Sequence, residues 1–133
     1  MNPKQFLLLG GVILVALAAL GHFGIIGPTA DDSIFGANWW FDAAENLAHL
    51  VFGVVALLAY FLLKDEKMQG MLVLLVGIVA LLVAIAGYMQ QELLGAVLEN
   101  PADTLLHVVV GVWAILAWKM GKKNQMMGGS QMM

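Results

Sequence analysis

Residues 42–60 read "DAAENLAHLVFGVVALLAY", and residues 100–118 read "NPADTLLHVVVGVWAILAW". Aligned without a gap at an offset of 58, nine of the 19 pairs are identical, among them His49/His107, Gly53/Gly111 and Ala56/Ala114. Apolar segments resemble one another through Leu, Val and Ala alone, but that does not account for a shared histidine followed four residues later by a shared glycine. Each copy opens on helix-start chemistry. Asp42 and Glu45 stand at N-cap and N3 spacing, and Asn100, Pro101 and Asp103 at N-cap, N1 and N3. Each copy then runs to its end with no further charge.

Two further segments of the same kind complete the chain. Uncharged or nearly uncharged apolar runs cover residues 5–24, 43–63, 71–89 and 102–119. A helix rises 1.5 Å per residue, so about 20 residues cross a hydrocarbon core of about 30 Å. The runs at 5–24 and 71–89 match more weakly, through Gly11 and Gly21 against Gly77 and Gly87, at an offset of 66. The pattern predicts an all-α fold: an integral membrane four-helix bundle built from two parallel helical-hairpin repeats. Residues 1–120 form the spanning domain, and residues 121–133 form a flexible, Met-rich cytoplasmic tail. Lys4 precedes the first run as in a signal peptide, but no small-x-small cleavage site follows, so the run is read as a retained span.

The composition agrees. Of 133 residues 62% are hydrophobic and 11% charged, with a mean hydropathy of +0.90; soluble domains are about half apolar and a quarter charged. All six basic residues are lysines, and they lie before the first run (Lys4), between the second and third (Lys64, Lys67) and after the fourth (Lys119, Lys122, Lys123). The other two connections, with the helix starts that follow them, carry Asp31, Asp32, Asp42, Glu45, Glu92, Glu99 and Asp103 without a lysine. The positive-inside rule then places both termini and the middle loop in the cytoplasm and the acidic loops outside. Trp39, Trp40 and Tyr88 are expected at the outer boundary, Tyr60 and Trp118 at the inner one. Residues 25–38 read as a Gly/Pro/Asp-rich loop, and residues 90–100 as an amphipathic turn lying on the outer surface.

No enzymatic signature is present: no phosphate loop, no nucleophile elbow and no Ser/His/Asp set. The absence of cysteine removes disulfides and thiolate metal sites. The runs at 5–24 and 71–89 hold no acid or base apart from His22, which argues against an ion-coupled transporter. The remaining chemistry is His49 and His107, seven residues inside their helix caps and about 10 Å down the axis. An ionisable ring at that depth needs a partner and is a functional candidate.

Two readings are open. The histidines can cross-link helices, with Gly53 and Gly111 admitting a close neighbour. Alternatively, Gly53 and Gly111 leave a flat slot beside each histidine for a tetrapyrrole, a haem or a chlorophyll-type pigment. Glu45 and Asp103, one turn before the histidines, would then orient the rings. A zinc or copper site formed with His22 is a weaker third reading. Cu(I) at the methionine pairs 126–127 and 132–133 is weaker still. The expected partners are the lipid bilayer and other membrane subunits, or a second copy, in a non-enzymatic accessory role; no nucleic-acid partner is expected.

Asn46, His49, Leu50, Phe52 and Gly53, with Asn100, Ala102, Asp103, Leu106, His107 and Gly111, resemble the ordered motifs of the bacterial domain-of-unknown-function 4383 family. The likeness covers nearly the whole chain except the tail. It implies a small four-span protein of the bacterial cytoplasmic membrane with paired histidines, and it implies no activity. His22 and the methionine tail fall outside the pattern.

Overall fold

A computed structural model of the protein describes residues 1–132, with side chains as far as residue 128. It is all-helical apart from one short hairpin. Four long helices follow in order, α1 (Pro3–His22), α2 (Ala43–Leu62), α3 (Glu66–Met89) and α4 (Ala102–Met132). All four are long and apolar enough to cross a membrane.

Of the two caps expected from the sequence, the one at Asp42 forms and the one at Asn100 does not, and α1 gains a cap of its own. Asn2 and Gln5 close a capping box on α1, and Asp42 and Glu45 close one on α2. In the second, the Glu45 N–H donates to Asp42 Oδ1 at 2.9 Å and the Asp42 N–H returns to Glu45 Oε2 at 3.0 Å. Each cap satisfies backbone donors that a helix start leaves without partners. At α4 the expected Asn100 cap is replaced. Asn100 turns to α3, its Nδ2–H donating to the Gly87 carbonyl at 2.8 Å, and its Oδ1 accepts the Thr104 hydroxyl. Asp103 reaches back instead, accepting the Glu99 N–H on Oδ2 at 2.8 Å.

Other boundaries differ from the hydropathy pattern. Asp65 caps α3, accepting the Lys67 N–H at 2.8 Å, so α3 begins five residues before the apolar run. Glu, Lys, Met and Gln are good helix formers whatever their polarity. The same chemistry in Lys122, Lys123 and Gln125 helps carry α4 on to Met132, where a flexible tail is expected from the sequence. Residues 90–100 also depart from the expected amphipathic turn. Glu92–Leu93 pairs antiparallel with Ala96–Val97 around Leu94 and Gly95, both at positive φ, the backbone of a two-residue hairpin turn.

α1 packs on α2 and α3 on α4, with lighter contact from α1 to α3 and α4. Each hairpin crosses at its own glycine pair. A Cβ added to Gly53 would lie 2.8 Å from Val15 Cγ2 and 3.0 Å from the Gly11 carbonyl oxygen. In the other hairpin, a Cβ on Gly111 would lie 2.7 Å from Leu81 and 3.2 Å from the Gly77 carbonyl oxygen. A methyl at either position would force the facing side chain or backbone to shift. Toward the lysine end, Phe6, Leu7, Ala59, Val73, Ala114 and Ala117 from all four helices form one core. Trp113 belongs to it, its ring 4.6 Å from Phe6, edge to face.

Candidate functional site

The opposite, acidic end holds three of the four buried polar side chains among the described residues, Glu45, Asn46 and Asp103. α2 presents Asp42, Glu45 and His49 along its first two turns, and the start of α4 presents Glu99, Asp103 and His107. The segment before α2 is tied down so that it can reach α4. Phe41 is fully buried; its N–H donates to the Ile26 carbonyl at 2.7 Å. Two residues earlier, Trp39 packs on Phe35 and Phe41, each ring centroid 5.2 Å away.

From there the Trp39 indole Nε1–H donates to Asp103 Oδ1 at 3.0 Å. The Val97 N–H, from the loop between α3 and α4, donates to Asp42 Oδ2 at 2.7 Å. These bonds run in opposite senses between the α1–α2 half and the α3–α4 half. They leave Glu45 at 5% exposure and Asp103 at 1%.

Three acids meet here. One ligating oxygen from each of Glu45, Glu99 and Asp103 lies within 4.8 Å of the others, the only such group among the described residues. Asp103 already accepts on both oxygens and Glu45 accepts on Oε2. Glu99 Oε2 is buried without a partner. Two buried carboxylates and a half-buried one so close together do not all stay charged. Burial first, then the hydrogen bond to Asp103 and its negative charge, push the Glu99 carboxyl up to about 8. A proton held by Glu99 and shared with Asp103 satisfies the group. A hard cation takes six to eight oxygens, more than this group offers with Asp103 and Glu45 already accepting from N–H donors.

The histidines are brought to the same end but are not equivalent. The His107 ring sits 2.7 Å through Nδ1 from the Asp103 carbonyl oxygen. A carbonyl only accepts, so Nδ1 carries the hydrogen and Nε2 of the neutral ring keeps its lone pair. His49 packs edge-on against Phe41 at 4.9 Å, and its Nδ1 is buried with no partner. His49 lies within electrostatic range of His107 and Asp103. The expected carboxylate–imidazole pairs do not form: Glu45 is committed to its cap and to the other acids, and Asp103 holds His107 by its backbone rather than its carboxylate.

The remaining sequence candidates are distributed as follows. Gly53 and Gly111 face Val15 and Leu81 of their own hairpins, so the space beside them is filled by helix rather than left as a slot. His22 is exposed, against the Phe23 ring at 4.9 Å, and joins no ligating group among the described residues. Met126 and Met127 are exposed; the side chain of Met132, and all of Met133, lie outside the described residues. Trp39 and Glu99 are the additions. Trp39 reads as an interfacial aromatic in isolation, and Glu99 has Phe41 as its counterpart at the 58-residue offset, so the repeat gave no hint of it.

Comparison with known proteins finds no matching family model, no similar curated protein and no similar solved structure. The fold and site define an all-α protein of four long apolar helices with an acid- and histidine-bearing clasp at one end.

Proposed function

We propose that the protein is a non-enzymatic integral membrane protein: two parallel hairpin repeats, termini in the cytoplasm of a bacterium and the acidic end outside. In this reading the acid–histidine cluster fastens the two hairpins, and the protein serves as an accessory subunit against other membrane proteins or a second copy. The observation that carries it is the pair of cross-hairpin bonds, Trp39 to the buried Asp103 and Val97 to Asp42. The matching glycine crossings of the hairpins support the repeat, and the segregation of lysines from acids supports the orientation. The resemblance to the domain-of-unknown-function 4383 family is compatible with it and adds no activity. Protein purified in mild detergent is expected to be colourless and metal-free and to lose thermal stability when Asp103 is replaced. Wild-type stability in Asp103→Ala would contradict the fastening role.

One observation favours a second reading. A histidine whose Nδ1–H is held by a carbonyl presents Nε2 in the form a metal ligand needs, and His107 is held that way. A haem or chlorophyll-type macrocycle would then lie on the open side of α4, because the glycine faces are filled. An absorption spectrum separates the two readings. A Soret band lost in His107→Ala supports the pigment; its absence from wild type removes it.

A further inference from the structure

The lysine end carries a second symmetric feature. Tyr60 and Trp118 are equivalent positions at the 58-residue offset, and both lie in the last turns of the apolar part of their helices. Each ring has an ammonium over it: Lys4 Nζ is 5.4 Å from the Tyr60 centroid, and Lys122 Nζ is 5.4 Å from the Trp118 centroid. The two lysines come from different places, one from the start of α1 and one from the turn of α4 after Trp118. The same unit is therefore built twice by different routes. Pro3 closes the end between them, with a Cβ on Gly121 lying 2.5 Å from Pro3 Cδ.

All six lysines are exposed at this end, against two acids, Asp65 and Glu66. Asp65 is engaged as the α3 cap, and no ion pair joins a lysine to either acid among the described residues. Among the described residues these are cations without protein counter-ions, two of them held at the depth of an aromatic belt. In a membrane that depth is the headgroup layer, and its inner leaflet is negatively charged.

We propose that the paired units Lys4–Tyr60 and Lys122–Trp118, within the collar of Lys64, Lys67, Lys119 and Lys123, bind the headgroups of anionic phospholipids. The ring supports the ammonium on one side and the lipid phosphodiester meets it on the other. Fixing one lipid against each hairpin would hold the lysine end as the acids hold the other. The inference rests on the membrane reading above.

The probes are phosphatidylglycerol and phosphatidylcholine with matched chains, added to the full-length protein in neutral detergent. Lipid retention is read by native mass spectrometry and stability by the apparent Tm. Wild type is expected to retain phosphatidylglycerol at least tenfold over phosphatidylcholine and to gain several degrees from it. Each surface ammonium contributes about fivefold to such attraction, so Lys4→Gln/Lys122→Gln is expected to lose most of the preference, while Lys4→Arg/Lys122→Arg keeps it. Equal retention of the two lipids, an unchanged preference in the glutamine variant, or the same stabilisation by inorganic phosphate would overturn the proposal. An alkaline carbonate wash of membranes tests the membrane reading separately. A chain that stays in the pellet but shows no lipid preference contradicts only this inference, and a chain that washes off contradicts the membrane reading itself.

Discussion

Glu99 has the least settled carboxyl at the acidic end, one oxygen buried without a donor and two other acids within reach. Its folded value of about 8 against an ordinary 4.5 means the folded state holds a proton that the unfolded chain releases. Stability then falls as pH rises through that window, being greatest below 4.5 and lost by about 8. The apparent Tm is expected to drop by several degrees between pH 5 and pH 8.5, and Glu99→Gln, which keeps a donor and never ionises, is expected to flatten that slope. A slope that persists in Glu99→Gln would place the titration elsewhere. Local chemistry of this kind is only partly legible in the sequence. The Asp42–Glu45 capping box could be read because its members are three residues apart. The meeting of Glu99 with Glu45 could not, because it depends on how two hairpins dock. The same limit explains the histidines: spacing put an acid one turn before each ring, and the folded acids turned to other partners.

The glycine crossings make the sharpest statement at the scale of helices. Gly53→Ala and Gly111→Ala both place a methyl within 3.2 Å of a facing backbone carbonyl oxygen, and overpacking of a close contact costs about 1–3 kcal/mol. Gly128→Ala meets nothing within 4 Å and, in a helix, is expected to be neutral or to stabilise by up to about 1 kcal/mol. Thermal melts of the three variants check the ranking; equal behaviour would mean the crossings are not close. Helix existence was legible from hydropathy for all four elements. The start of α3 and the end of α4 were not, because the apolar runs begin at residue 71 and stop at residue 119 while the helices extend over Glu66–Gly70 and on to Met132. The 90–100 loop was misread for a different reason: its alternating apolar residues suit a turn of helix or a hairpin equally, and Leu94–Gly95 at positive φ decides for the hairpin.

Across the whole molecule, the two hairpins meet through an apolar core toward the lysine end and a polar clasp at the acidic end. The core would hold the halves together by packing alone. The clasp adds direction, since Trp39 reaches Asp103 and Val97 reaches Asp42 in only one docking of the halves. Bonds between spanning helices contribute about 0.6–2 kcal/mol each, and a bond to a buried charged group lies at the upper part of that range or beyond it. The likeness of residues 42–60 to residues 100–118 was legible in the 58-residue offset. How the polar residues are used was not, because the two segments differ: His107 is bonded and His49 is not, and the counterpart of Glu99 is Phe41 rather than an acid. The most direct measurement of the clasp is a double-mutant cycle on Trp39→Phe and Asp103→Ala, read as unfolding free energy in mild detergent. A coupling of about 1 kcal/mol or more between the two sites is predicted. Additive effects, within about 0.3 kcal/mol, would contradict the claim that this bond fastens the hairpins.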